Sequence, residues 1–459
     1  MSRHGSDTSR LLVVACNFPP DAAVGTMRTL RLVKHLVSEG WAVDVLTIAP
    51  EGFRPGTVTD PALLARVPPA VTVLRARPLR PFERLAGAFK PNKPGQTPAA
   101  AAQAPVEAGP GAGGRPPRTS ALATARRAIT AALTLPDREV SWLLPALWKA
   151  WRHARRSPPD VIYSSGPPFT AHLVALVLSR LTGAPWVADF RDPWARAPWR
   201  EDRFAFERRA WALFERLVAL RADRVVFVTA TNRDDFANAY GPKAAERFIV
   251  VANGCDASEF DGLRPVTRAA ATPFVLLHAG SLYGARNPAG LLRAVAAAMA
   301  RGEIDPASFR LRFLGRIGVH GVNLPAVARE LGLGEVVEFV NHVPRRDSLQ
   351  QMVDASALLI VQPVTTVSIP AKLYEYMAAG RPILALAQPG GETAELVERS
   401  QGGVSVLADD EAAIAHGVIQ VVRLGREGFT PVDRRFYDGE VRAAELQRLL
   451  EQVAGGAPR

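Results

Sequence analysis

Between Ser368 and Glu398 the chain reads SIPAKLYEYMAAGRPILALAQPGGETAELVE, and few architectures accept that order of signals. Ser368 and Pro370 fit a helix start, since serine caps orphan N–H groups and proline suits the first turn. Leu373, Met377 and Ala378 recur at helical spacing. Gly380 ends such a helix as a left-handed glycine does, with Pro382 just beyond. Ile383 to Ala387 is a short, wholly apolar run, the pattern of a strand buried on both faces of a parallel sheet. Pro389 to Thr393 then turns the chain into a second helix. Helix, strand, glycine loop and helix in that order predict a doubly wound α/β domain.

A strand that runs through a glycine loop into a helix presents unpaired N–H groups and the positive end of a helix dipole, an arrangement suited to an anion. Lys372 adds a phosphate partner, and Glu375 an acceptor for a pair of vicinal hydroxyls. Three residues apart, they share one helix face, and spacing alone equally allows a solvated ion pair.

The same grammar recurs along the 459 residues. Leu11 to Cys16 reads as a strand, followed by a loop to Gly25 and a helix from about Thr26 to Gly40. Trp41 to Ala49 reads as the next strand. The opening loop has no G-x-G-x-x-G, so dinucleotide binding is not supported. Gly25 reads as the turn into the helix, with Arg28 in the following turn. Further strands are expected at Val71 to Ala76, Asp160 to Gly166, Pro185 to Trp194, Arg221 to Thr229 and Phe248 to Asp256. The strand around Ala188 ends in Arg191-Asp192, charges at the end of a parallel strand where ligand crevices lie. A structural Arg–Asp pair is the competing reading.

Residues 262–272 read as a linker, and FVLLHAGSLYGARNPAGLLRAV restarts strand, glycine loop and helix. The expected domains are therefore 1–262 and 263–430, with a last helix in 431–459. From 90 to 120 the composition turns to Pro, Gly, Ala and Gln, which predicts an insertion with too little apolar surface to order itself.

Two cysteines, Cys16 and Cys255, exclude a disulfide framework and predict a reducing compartment. No run reaches the roughly 18 apolar residues of a membrane span, and Leu11 to Cys16 is too short for a signal-peptide core. The expectation is a cytoplasmic protein. The formal charge of +12 is uneven: Arg115 to Arg156 carries nine Lys/Arg against Asp137 and Glu139, a balance of +7. Residues 121–156 read as helical, divided by Pro136 and Pro145, with Trp142, Trp148 and Trp151 among the basic residues. That combination suits an anionic membrane surface, and packing against the first domain is the equal alternative. Nucleic acid is discounted, because the sequence holds no recognised module for it.

PAKLYEYMAAGRP resembles the C-terminal half of the GT-B glycosyltransferases, in particular glycosyltransferase family 4. The family pattern has two glutamates eight apart. Glu375 supplies the second, and Val367 stands where the first would be, so Ser368, Ile369 and Pro370 backbone groups are expected to serve instead. The segment GSLYGAR resembles the family's Gly-x-Leu with a following lysine, here Gly280, Leu282 and Arg286. Arginine can clamp a diphosphate bidentately. Arg316 ends the next strand.

The resemblance implies two Rossmann-like domains facing a cleft and a sugar moved from a nucleoside diphosphate donor to an acceptor hydroxyl, with retention and without metal or cofactor. It implies a donor site at Gly25, Gly280, Arg286, Arg316, Ser368, Ile369, Pro370, Lys372 and Glu375, and places Arg191 and Asp192 near the reacting sugar. A glycan or lipid-linked acceptor and peripheral contact with the inner face of the membrane are expected partners. A nucleotide-sugar epimerase or hydrolase on the same fold, or an inactive nucleotide-sugar-binding scaffold, remain alternative readings.

Overall fold

The computed structural model describes residues 8–79, 121–198, 204–266, 272–284, 286–319, 321–341 and 343–456. The expected insertion at 90–120 lies outside them. The described chain divides into two compact units, one holding residues up to 252 and from 440 onward, the other 253–439.

In the first unit seven strands form one parallel sheet: β1 (Arg10–Ala15), β2 (Ala42–Ile48), β3 (Thr72–Ala76), β4 (Val161–Gly166), β5 (Trp186–Phe190), β6 (Arg224–Phe227) and β7 (Phe248–Val250). Their order is β3-β2-β1-β4-β5-β6-β7. Starting at β1 and winding outward both ways puts a topological switch between β1 and β4, where loops at the strands' carboxyl ends diverge. β1 and β4 are buried almost along their whole length because helices cover both faces, which is why residues 11–15 of β1 read as an unbroken apolar run. The helix Val24–Ser38 turns Leu30, Val33 and Leu36 inward, and glycine at position 40 (φ 84°) releases the chain into β2.

The last helix, Gly439–Ala454, belongs to this unit. Leu446, Leu449, Leu450 and Val453 lie on one stripe and join the core of Leu11, Val13, Leu30 and Val33. Full burial of each such side chain contributes about 1.5–3 kcal/mol. His35 Nε2 lies 2.8 Å from Gln447 Oε1, fixing the helix's roll.

Three sequence expectations need correction. Pro145 does not divide the basic segment. It sits in the first turn of the helix Leu143–Ala154, where its missing N–H would have had no partner anyway. Trp142 is not on the surface with Trp148 and Trp151: it is fully buried and donates Nε1–H to the Ala76 carbonyl at 3.1 Å. Ser368 does not cap a helix. The helix Ala371–Ala378 starts with Pro370 at the N-cap and no side-chain cap, and the Ser368 hydroxyl bonds Gln362 and Thr365 instead.

The second unit holds a parallel sheet in the order β12-β10-β8-β13-β14-β15. Its strands are β8 (Phe274–Ala279), β10 (Phe309–Leu314), β12 (Val337–Val340), β13 (Ala357–Gln362), β14 (Ile383–Ala387) and β15 (Gly403–Val406). A two-residue ribbon pairs β9 (Leu282–Tyr283) with β11 (Ile317–Gly318). Two apolar clusters flank the sheet, one around Leu276, Leu292 and Phe313, the other around Leu277, Leu358 and Tyr376. Gly380, at φ 68°, ends the helix Ala371–Ala378 as the sequence predicts. No described helix is long and apolar enough to cross a membrane.

Candidate functional site

In the second unit the carboxyl ends of β8 and β13 bring together residues distant in sequence. Gly280 follows β8 with φ 147°, a backbone state that L side chains rarely adopt. The Lys372 ammonium lies directly over it and donates to the Ala279 carbonyl. A β-carbon on residue 280 would fall 1.8 Å from Lys372 Nζ. Tyr376, one turn further on, receives the Ala279 N–H on its hydroxyl at 2.8 Å. The helix Ala371–Ala378 is thus tied to the loop after β8 by two side chains on one face, at positions i and i+4.

Charge is concentrated here. Burial pushes the Lys372 ammonium down, Glu375 opposes that, and Arg345 and Arg286 push further in the same direction. Glu375 carries an ion pair to Arg345, with Oε1 and Nη1 2.9 Å apart. Arg316 follows β10 with an exposed side chain, and its carbonyl accepts the Leu282 N–H at 2.9 Å. Ser368, Ile369 and Pro370 lead into the helix N-terminus. The Ser368 carbonyl accepts from Thr393 Oγ1 at 3.0 Å, while Ile369 packs on the core.

Sequence reasoning missed two members of this cluster. His278, the penultimate residue of β8, is buried, with Nδ1 2.9 Å from the Leu359 carbonyl and no partner for Nε2 among the described residues. Burial pushes its imidazole down to about 4, with Lys372 and Arg286 adding to the shift, so it is neutral. A polar residue inside an apolar strand, one step before the glycine loop, was the available signal. Arg345 gave none: it is one of two adjacent arginines opening a surface helix.

The first unit assembles a separate group at the ends of β4 and β5. Arg191 and Asp192 directly follow β5. The Arg191 N–H bonds the Gly166 carbonyl at 2.9 Å, and its guanidinium donates to the Pro167 carbonyl. Gly25 lies against that guanidinium so closely that a β-carbon there would be 1.6 Å from Nη1. Arg191 Nε is buried without a partner among the described residues. Burial lowers the Arg191 guanidinium, with Asp192 and Asp189 opposing. The structure thus brings Gly25 and Arg191 into contact.

Beneath them, Arg28 is spent on structure. Its Nε and Nη2 meet both oxygens of Asp189 at 3.0 and 2.9 Å, and the remaining donors hold the Val251 and Ala252 carbonyls. Tyr163 and Ser165 hydroxyls complete Asp189 at 2.7 and 3.0 Å. Burial alone would raise the Asp189 carboxyl, but the adjacent Arg28 charge and these hydrogen bonds hold it below the usual carboxylate range. The buried pair is hydrogen-bonded throughout, the condition under which burying charge is tolerated. His172, close by, is also kept neutral, pushed down to about 3 by burial. Among the described residues no group of three His, Cys, Asp or Glu is placed to hold a metal ion.

Two family models match this chain. Glycosyltransferase Family 4 covers residues 108–259, and Glycosyl transferases group 1 covers residues 273–423. No curated protein sequence matches. Solved structures share the fold along almost the entire chain. A sucrose-phosphate synthase from Thermosynechococcus elongatus is 16% identical, covering 98% of this chain and 100% of its own, at a TM-score of 0.58. A glycosyltransferase from Rickettsia africae is 10% identical over 99% and 100%, at 0.56. Anabaena HepE in complex with UDP-glucose is 14% identical over 97% and 100%, at 0.54. With a glycosyltransferase model on each half and two parallel-sheet α/β units of the GT-B kind, the chain belongs to the GT-B glycosyltransferases of the family 4 and group 1 type.

Proposed function

We propose that this protein moves a sugar from a nucleoside diphosphate donor to an acceptor hydroxyl with retention of anomeric configuration, in the synthesis of a cell-surface glycan or glycolipid. The observation that supports this best is the Lys372 ammonium held over Gly280, with Glu375 one helical turn along and the Arg286 charge acting on Lys372. A departing nucleoside diphosphate accumulates negative charge on its β-phosphate. Cations already fixed in place stabilise that charge without reorganising, which makes such preorganisation effective. Gly280 lets backbone and ammonium approach the phosphates together. Glu375 is the acceptor for the ribose hydroxyls, and Ser368, Ile369 and Pro370 lead to N–H groups at a helix start. Arg316 lies at the end of the neighbouring strand.

Arg191 and Asp192 are the proposed groups nearest the reacting sugar, and Gly25, against the Arg191 guanidinium, is proposed to approach the donor phosphates. In this reading the leaving phosphate accepts the acceptor's proton, so side chains supply the charge compensation and neither a metal nor a further cofactor is required. HepE, of the same fold, is held with UDP-glucose, which agrees with a nucleotide-sugar donor.

The acceptor is proposed to be membrane-borne, and the protein cytoplasmic, docked on anionic lipid. The helix Leu143–Ala154 carries Leu144, Trp148 and Trp151 outward, exposed by 67%, 60% and 36%. Arg152 and Arg155 lie over the two indoles, 4.7 and 5.2 Å from the ring centroids.

Incubating the protein with UDP-, GDP- and ADP-sugars, with and without lipid-linked acceptors, tests the reading. Acceptor-dependent nucleotide release with a retained anomeric proton coupling is expected. Release at the same rate without acceptor would replace transfer by hydrolysis.

A further inference from the structure

Three charged side chains of the second unit form a chain of contacts. Glu259 lies in the short 3-10 turn Ala257–Phe260, Arg345 opens the helix Arg345–Asp354, and Glu375 lies mid-helix in Ala371–Ala378. Arg345 Nε and Nη2 both donate to Glu259 Oε2, at 3.1 and 2.6 Å. Its third nitrogen, Nη1, faces Glu375 Oε1 at 2.9 Å. The other carboxylate oxygen, Glu375 Oε2, accepts no hydrogen bond among the described residues.

A guanidinium is a planar fork. Two of its nitrogens on one Glu259 oxygen anchor one edge of the fork and leave Nη1 on the other side for Glu375. Nη1 then holds one oxygen of Glu375 and leaves the second directed elsewhere. A vicinal diol needs a carboxylate whose plane is fixed, because its two hydroxyls present donors in a set geometry. Glutamate has three rotatable bonds and loses substantial freedom when ordered. An ion pair that orders it before the nucleotide arrives removes that cost from binding.

We infer that Arg345, anchored by Glu259, is a positioning residue that presents Glu375 to the 2′- and 3′-hydroxyls of a ribose and so sets the preference for ribonucleotide over 2′-deoxyribonucleotide donors. This rests on the reading that Glu375 receives the ribose. Arg345 also offsets the negative charge of Glu375 beside a diphosphate. That second effect acts equally on ribose and deoxyribose ligands, so the ratio of the two affinities isolates positioning.

The test is calorimetric titration of the full chain with UDP, GDP and ADP and with their 2′-deoxy forms. The wild type should prefer the ribose form of the nucleotide it binds tightest by on the order of tenfold or more, the worth of one hydrogen bond to a charged group. Glu375→Gln should abolish most of that preference. Arg345→Gln should bring the ratio to within about twofold of the Glu375→Gln value, and in the Glu375→Gln background it should not move the ratio further. Arg345→Lys keeps the charge without the fork and should recover little of it. Glu259→Gln, nearly isosteric and the least disruptive to folding, should lower the ratio in the same direction. A wild-type ratio in Arg345→Gln or Arg345→Lys, with Glu375→Gln having lost it, overturns the role of Arg345 alone. If the wild type binds none of these nucleotides, or Glu375→Gln keeps the ratio, the donor-site reading falls first and this one with it.

Discussion

Lys372 Nζ occupies the space that a β-carbon on Gly280 would need, 1.8 Å from where that carbon would be. The glycine and the lysine are therefore one device. Gly280→Ala should displace the ammonium from the Ala279 carbonyl and also strain a backbone held at φ 147°. Lys372→Ala and Arg286→Ala should each slow transfer and weaken nucleotide binding by a factor on the order of 10 to 1,000. Gly280→Ala should fall in the same range. Added to Lys372→Ala, it should cost little more affinity, since the group it would displace has gone. Nucleotide titrations of the two single variants and the double variant check this. Independent, additive losses would separate the two residues.

Gly25 and Arg191 form the corresponding contact in the first unit. The buried Arg191 Nε has no partner among the described residues, so the guanidinium is held by few contacts of its own. Arg191→Gln is expected to lower kcat by about 10- to 100-fold. It should leave nucleoside diphosphate affinity within about twofold, because that affinity is assigned to the second unit. Gly25→Ala should lower kcat similarly by pushing the guanidinium aside. Unchanged kcat in both variants would make this contact purely structural.

Much of this was legible in the sequence, and the reason is local. Lys372 and Glu375 sit in a helix whose bounds glycine, proline and apolar periodicity mark within a few residues, whereas Gly280 and Arg286 were singled out only by the resemblance to the family. What was not legible depends on distant pairing. Arg28 meets Asp189 across 161 residues, and Arg345 meets Glu259 across 86. No local pattern distinguishes an arginine that pairs inside a core from one that waits for a phosphate. Trp142 failed for the same reason: it shares a basic segment with Trp148 and Trp151, yet the Ala76 carbonyl at the end of β3 claims its indole N–H.

Glu215 supplies a prediction about pH. It is fully buried on the helix Ala205–Arg221, accepting from Tyr240 Oη at 2.8 Å and the Ala195 N–H at 2.7 Å. Burial pushes its carboxyl up to about 7, which those hydrogen bonds offset only in part. An unfolded chain would release this proton near the ordinary value of 4.5. Between these values the folded state holds one proton more than the unfolded state, so this group's contribution to stability falls as pH rises from about 4.5 to about 7. Glu215→Gln removes the titration. Melting temperatures across that range should decline more steeply for the wild type than for Glu215→Gln. Parallel curves would show that Glu215 ionises normally.

The surface of the helix Leu143–Ala154 leads to the last prediction. Leu144, Trp148 and Trp151 recur at i, i+4 and i+7 and so share one face, exposed to solvent. The stacked guanidinia of Arg152 and Arg155 keep charge beside the rings. Indoles favour the headgroup level of a bilayer, and each basic residue near an anionic surface contributes roughly 1 kcal/mol. Two or three such residues with two indoles give weak, reversible docking. Not every cation of the segment is available: Lys149 bonds the Arg75 carbonyl, while Arg54 from outside it takes Glu139. The attraction should fade with salt, since exposed charges are screened within about 10 Å at 0.1 M. Sedimentation with phosphatidylcholine vesicles, with or without phosphatidylserine, should show binding that requires the anionic lipid and falls as salt rises. Trp148→Ala with Trp151→Ala should weaken it at any salt, whereas Arg152→Gln with Arg155→Gln should chiefly flatten the salt dependence. Equal recovery with neutral and anionic vesicles would reduce this face to ordinary solvated surface.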